Sequence, residues 1–89
     1  MDKKDLGVLE RIFENDVKAA LGEGPNLPTQ FHHRMTARLE RLEREGYIRR
    51  DEAKLGGRFP MTVSGWALTT AGHATYCMSC REQREGGSE

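Results

Sequence analysis

The change from helix to strand that decides the fold lies in residues 39–50, which read Leu39-Glu40-Arg41-Leu42-Glu43-Arg44-Glu45-Gly46-Tyr47-Ile48-Arg49-Arg50. Leucines three residues apart among Arg and Glu are typical of an amphipathic helix. Gly46 fits the C′ position of a Schellman ending, with Tyr47 at C″ against Leu42 at C3. The aromatic and β-branched residues after the glycine predict a short strand over 47–50.

The helix that ends at Gly46 is predicted to span residues 29–45, with Thr29 as its N-cap. Its apolar positions recur at steps of four, four and three residues, as one buried helix face requires. They are Phe31, Met35, Leu39 and Leu42.

A second amphipathic stripe predicts a helix near the N-terminus, ended by Gly22 and by Gly24-Pro25. Two shorter helices that break near Asn15-Asp16 are the alternative, because either side chain could act as an N-cap. The unbroken stripe favours one helix. Its apolar positions are Leu6, Leu9, Phe13, Val17 and Leu21.

The region after residue 50 has the pattern of a hairpin. Gly56-Gly57 is a turn signal, and residues 58–68 are rich in strand formers. Pro60 restricts the second strand to a sheet edge or its entry, and Gly65 suggests a bulge.

A last helix over 71–83, capped by Thr69 or Thr70, completes the order helix-helix-strand-strand-helix. We therefore predict one mainly α domain with a small β-hairpin (α+β) over residues 1–83, and a disordered tail over 84–89. The predicted core is Leu6, Leu9, Phe13, Phe31, Met35, Leu39, Leu42, Ile48, Val63, Trp66 and Leu68.

Charge is balanced overall, with 14 Lys+Arg against 14 Asp+Glu in 89 residues. This balance argues against a protein that coats nucleic acid by bulk charge. Residues 26–50 nevertheless carry six arginines against three glutamates, or +3. The charged N-terminus lacks the apolar stretch of a secretory signal, and no apolar run approaches the length of a membrane span. The two cysteines are typical of reduced thiols. We therefore expect a cytoplasmic protein.

The order of elements resembles the winged helix-turn-helix domain of bacterial regulators of the MarR and PadR type. Residues 39–50 resemble the end of a recognition helix running into the first wing strand. Leu68-Thr69-Thr70-Ala71-Gly72 resembles the junction between the second wing strand and the closing helix. The resemblance implies a DNA-binding transcription regulator that forms a homodimer and binds double-stranded DNA.

The same resemblance implies which residues would contact DNA. The outward, N-terminal part of the recognition helix would meet base edges, and a basic wing tip at Arg58 would reach the minor groove. Three arginines on one helix flank would contact phosphates, although a solvated helix face is the alternative explanation of the same pattern. The predicted nucleic-acid-binding residues are Gln30, His33, Arg34, Ala37, Arg38, Arg41 and Arg58.

One departure from the family pattern supports a second function. A short positioning helix precedes the recognition helix in that family, whereas residues 22–28 here predict a loop. The alternative is therefore a small protein-binding module. Compact neutral chains of this size occur among the accessory proteins of phages and mobile elements, including inhibitors such as anti-CRISPR proteins.

The chain contains few residues that indicate catalysis or metal binding. It lacks the nucleophile-elbow, zincin and phosphate-loop motifs, so we expect no enzymatic activity. His73, Cys77 and Cys80 fall on one face of a helix and offer three zinc ligands, one fewer than a structural site requires. We therefore expect no cofactor and a packing role for the two cysteines, with zinc shared across a dimer as the alternative.

Overall fold

The computed structural model describes residues 1–24 and 26–87 and confirms the predicted mixed α+β class and order of elements. The predicted disordered tail over 84–89 is wrong for residues 84–87, which belong to the last helix, and residues 88–89 lie outside the described part. No helix within the described ranges combines the length and the apolar character needed to cross a membrane. The elements are α1 (Lys3–Ala20), a 3-10 turn (His33–Met35), α2 (Thr36–Arg44), β1 (Ile48–Leu55), β2 (Met61–Leu68) and α3 (Thr70–Gly87).

Helix α1 is one continuous helix of 18 residues, as the unbroken stripe predicted. It begins with a capping box, in which the Asp2 side chain accepts from the Asp5 N–H at 2.8 Å and the Asp5 side chain accepts from the Asp2 N–H. It ends before Gly22, whose φ of 74° suits glycine. Asn15 caps no second helix, because its Nδ2 donates to the Leu27 carbonyl at 2.9 Å.

The buried face of α1 differs from the predicted one. Val8, Leu9 and Ile12 are fully buried, whereas Val17 and Leu21 are 39% and 66% exposed. The prediction was wrong for these last two residues because the core contacts only the first three turns of the helix. Leu6, Leu9 and Phe13 of the predicted stripe do pack in or against the core, and Val8 and Ile12 beside them widen the buried face.

The core joins all three helices to the hairpin. Val63 was predicted in it but lies outside, because it pairs with Ala53 on the part of the hairpin that leaves the body. The buried cluster contains Val8, Leu9, Ile12, Leu39, Leu42, Ile48 and Leu68. Packed against it and partly buried are Leu6, Phe13, Phe31, Met35, Tyr47, Trp66 and Tyr76.

Thr29 pairs with the hairpin and does not cap the helix after it. Its N–H donates to the Trp66 carbonyl at 3.2 Å, and the Trp66 N–H donates back at 2.9 Å. The segment is therefore extended, and the α-helix begins only at Thr36, after the 3-10 turn. The predicted start of the helix was wrong because a backbone pairing distant in sequence replaces the local cap.

The two junctions around the hairpin follow the prediction. At the end of α2 the Tyr47 N–H donates to the Leu42 carbonyl at 3.0 Å, and Gly46 has a φ of 88°, which forms the Schellman ending. Thr69 caps α3, since its Oγ1 accepts from the Gly72 N–H at 3.0 Å and donates to the Gly46 carbonyl at 2.6 Å. One threonine thereby ties α2 to α3.

The hairpin is longer and more regular than predicted. Its antiparallel register runs without a bulge from Ile48 opposite Leu68 to Leu55 opposite Met61. The bulge predicted at Gly65 is therefore absent from the register. Glycine is needed there for a different reason: a Cβ at this position would lie 2.6 Å from the Thr29 carbonyl oxygen, where the preceding segment crosses β2.

Candidate nucleic-acid interface

Two of the arginines predicted to contact phosphate bind a carboxylate of α1. Arg38 Nη1 lies 2.5 Å from Asp5 Oδ1, and Arg41 Nη2 hydrogen-bonds to the same oxygen. Arg38 Nη1 also lies 3.2 Å from Oδ1 of Asp2. Asp5 is only 3% exposed, so the two guanidinium groups satisfy a buried negative charge. These contacts join α2 to the first turn of α1.

The pKa shifts of Arg38 and Asp2 support a structural role for Arg38. The hydrogen bond from Arg38 to Asp5 raises the pKa of Arg38, and the charge of Asp2 adds to this effect. The pKa of Asp2 is lowered, first by the hydrogen bond from the Asp5 N–H and then by Arg38. Each charged form is thus stabilised by a partner inside the protein. Arg41 keeps a side chain that is 44% exposed and can face a second anion.

The residues predicted to meet base edges lie in the segment before α2, in the 3-10 turn and in the first turn of α2. Gln30 Nε2 donates to the Ser64 carbonyl at 3.2 Å, which holds this segment against the hairpin. His33 is exposed and its ring stacks on the neighbouring histidine, with centroids 4.1 Å apart. Arg34 and Ala37 are exposed. The structure therefore exposes all four residues, and Gln30 is in addition hydrogen-bonded to the hairpin.

The exposed face of α2 has a different basic row from the predicted one. Arg34, Ala37, Arg41 and Arg44 recur at steps of three, four and three residues, and all four are exposed. Arg44 was not among the residues predicted to contact nucleic acid. Within the described residues Arg44 forms no ion pair. The step pattern was visible in the sequence and could have identified it.

The arginines of β1 are engaged by neighbours. Arg50 Nε lies 3.3 Å from Glu43 Oε2, and its guanidinium stands 4.9 Å from the centre of the Trp66 ring. Arg49 Nη1 lies 3.6 Å from Asp51 Oδ1. Asp51 lies outside residues 26–50 and offsets one charge of their +3, whereas Glu43 lies within them and is already counted.

The hairpin tip, residues 54–61, carries Arg58 as predicted, together with Lys54. Both cations are exposed, and neither forms an ion pair among the described residues. Sequence analysis missed the apolar character of this tip, because Phe59 was counted as part of a strand. The exposed apolar residues are Leu55 at 39%, Phe59 at 82% and Met61 at 59%.

The candidate zinc ligands do not converge. Within the described residues no group of three or more His, Cys, Asp or Glu side chains is placed to hold a metal ion. The His73 ring meets Phe13 edge-on at 5.8 Å. Cys80 is half-buried, and its hydrogen bond with Tyr76 raises the pKa of the phenol, with burial adding to the effect. Cys77 is exposed, so the packing role predicted for it does not apply.

No protein-family model, curated protein or solved structure matches the chain. Support for a function comes from the residues and contacts described above.

Proposed function

We propose that the protein binds duplex DNA in the manner of a winged-helix transcription regulator, with α2 and the hairpin as its contact surface. The observation that carries this proposal is the basic row on the exposed face of α2, on a helix packed against the strand that leads to a basic hairpin tip. Guanidinium and ammonium groups at this spacing suit the phosphates of one DNA groove.

The contact residues differ from those predicted from the sequence. Arg38 acts within the protein through Asp5, and Arg41 is shared between Asp5 and the surface. The cations with no ion pair among the described residues are Arg34 in the 3-10 turn, Arg44 on α2, and Lys54 and Arg58 on the hairpin tip. His33 in the 3-10 turn and Ala37 in the first turn of α2 are exposed at the N-terminal end of this helix, where we expect side chains to reach base edges.

The test is the salt dependence of binding to random duplex DNA, measured by fluorescence anisotropy between about 50 and 200 mM salt. Four phosphate contacts give a slope of log affinity against log salt of about −3.6 for each protomer. The homodimer that we propose along with this function doubles that slope. Sedimentation of the same sample gives the oligomeric state.

Variants separate DNA contact from fold. The double variant Arg34→Ala/Arg58→Ala should flatten the slope by about 1.8 for each protomer and leave the melting temperature unchanged. Lys3→Ala/Lys18→Ala removes the same charge from α1 and is the matched control, for which we expect a smaller change. Equal slopes for the two double variants, or an absence of salt-dependent binding by the wild type, would contradict the proposal.

A protein-binding module is the second candidate. It is favoured by the segment before α2. Between Leu21 and His32 the described residues form no helix, so only the 3-10 turn stands where a DNA-binding helix-turn-helix has its positioning helix. This candidate predicts no salt-dependent affinity for DNA. It also predicts that a protein partner is lost in Arg34→Ala/Arg58→Ala.

A further inference from the structure

The hairpin tip combines apolar exposure with positive charge. Phe59 is the most exposed of the large apolar residues in the described chain, at 82%, and Met61 and Leu55 pair beside it across the two strands. An exposed apolar cluster of this kind marks a surface that contacts something other than water. Elsewhere in the fold, Phe13 and Phe31 pack against the core.

Charge around the cluster points to the nature of its partner. From Ala53 to Val63 the sequence contains Lys54 and Arg58 and no acidic residue. These two features match a polyanion with an apolar interior that Phe59 can enter. Duplex DNA has this construction, since phosphates line its surface and stacked bases fill its centre.

The geometry of the hairpin suits insertion. Each strand has eight residues, so the hairpin is about 26 Å long at the usual rise per residue. Its distal half has exposed residues on both faces, whereas Ile48 and Leu68 at its base are buried. Two-stranded ribbons bind DNA in the major or the minor groove, and this one can reach the minor groove while its base stays anchored in the core.

The tip turns at Gly57, whose φ of 117° a residue with a side chain rarely adopts. Pro60 fixes the backbone directly after Phe59 and offers no N–H for strand pairing. A tip that is shaped before binding loses less conformational entropy when it inserts.

We propose that Phe59 is an apolar wedge, which enters the minor groove of duplex DNA, partly unstacks one base step and bends the duplex, while Arg58 contacts the narrow groove beside it. This inference rests on the proposed DNA binding and adds a specific mode of recognition to it. Apolar wedges flanked by cations bend DNA by about 20–90°. They favour pyrimidine–purine steps, which unstack most easily.

The experiment uses the full chain and a 30-base-pair duplex with fluorophores at its two ends. A central TA step is flanked by 2-aminopurine, whose fluorescence rises when the base unstacks, and a second duplex lacks the TA step. We expect the wild type to increase energy transfer between the ends, to raise the 2-aminopurine signal, and to bind the TA duplex about threefold to tenfold more tightly than the other.

Three variants test the wedge. Phe59→Ala should lose the bend, the 2-aminopurine signal and the preference for TA, with its salt slope unchanged because no phosphate contact is removed. Phe59→Leu should retain part of the bend, since leucine also serves as a wedge. Leu21→Ala removes another exposed apolar side chain, outside the hairpin, and should behave as the wild type.

The outcomes separate the wedge from DNA binding itself. Salt-dependent binding by the wild type without bending or unstacking, or with bending retained in Phe59→Ala, overturns the wedge and leaves the proposed function standing. Absence of DNA binding by the wild type overturns both. Binding to vesicles of anionic phospholipid that depends on Phe59, without DNA bending, would assign the tip to a membrane surface and also overturn the wedge.

Discussion

Oδ1 of Asp5 on α1 lies 2.5 Å from Nη1 of Arg38 on α2, and the same oxygen accepts a hydrogen bond from Arg41. Because Asp5 is buried, its charge is tolerated only while both guanidinium groups remain in place. The fold therefore requires arginine at these two positions for a reason unrelated to any ligand. Two arginines of α2 therefore balance the charge of a buried carboxylate.

Replacement of Arg38 should destabilise the protein before it affects any binding. Arg38→Ala leaves Asp5 buried with one partner, and we expect the melting temperature to fall by about 5–10 °C, measured by circular dichroism. Arg34→Ala, at an exposed position with no ion pair among the described residues, is the control and should melt as the wild type does. In Asp5→Asn/Arg38→Ala no buried charge is left unpaired, so part of the loss should be recovered. Identical melting curves for Arg38→Ala and Arg34→Ala would show that the contact is not structural.

Gly72 predicts a second stability effect, of steric origin. A Cβ at this position would collide with the carbonyl oxygen of Tyr47, where α3 approaches the end of α2. Gly72→Ala should therefore cost about 1–3 kcal/mol in urea unfolding, the usual penalty of overpacking. Gly7→Ala is the matched control, because a Cβ there meets nothing within 4 Å. That change should stabilise α1 by about 0.5–1 kcal/mol. Destabilisation by both variants to the same extent would rule out the close approach as the cause.

Sequence analysis succeeded where the signal is local. Gly46 and Thr69 were assigned correctly because a Schellman ending and a helix cap depend on residues within one turn of the chain. The order of elements followed from the same local signals. These junctions fix where each element begins and ends, and hence the α+β class.

The errors arose where partners distant in sequence decide the structure. Thr29 has a good local cap pattern, but pairing with Trp66 across the hairpin satisfies its backbone instead. Arg38 and Arg41 were assigned to DNA because nothing in their neighbourhood on the helix indicates Asp5, which lies on another element. In the candidate site the sequence therefore identified the basic face of α2 and Arg58 but could not separate structural from free arginines.

The difference in burial between Ile12 and Val17 on α1 gives a third prediction. Ile12 is fully buried, so Ile12→Ala should cost about 2–5 kcal/mol of unfolding free energy. Val17→Ala removes a neighbouring β-branched residue on the same helix, at a position that is 39% exposed, and should change stability by less than about 0.5 kcal/mol. Urea unfolding of the two variants under the same conditions measures the difference. A larger cost for Val17→Ala would restore the face predicted from the sequence.

The two cysteines of α3 give a final prediction, because their environments differ although they lie one turn apart. Cys77 is exposed, and Cys80 is half-buried. Cys77→Ser should therefore leave the melting temperature unchanged, and Cys80→Ser should lower it.

We expect less than one zinc ion per chain by elemental analysis and no loss of stability with a chelator, since His73 and the two thiols provide too few ligands for a structural site. Stoichiometric zinc together with unfolding on chelation would contradict this expectation, since metal binding would then be coupled to folding. That result would indicate a site in which two copies of α3 each supply part of the ligand set.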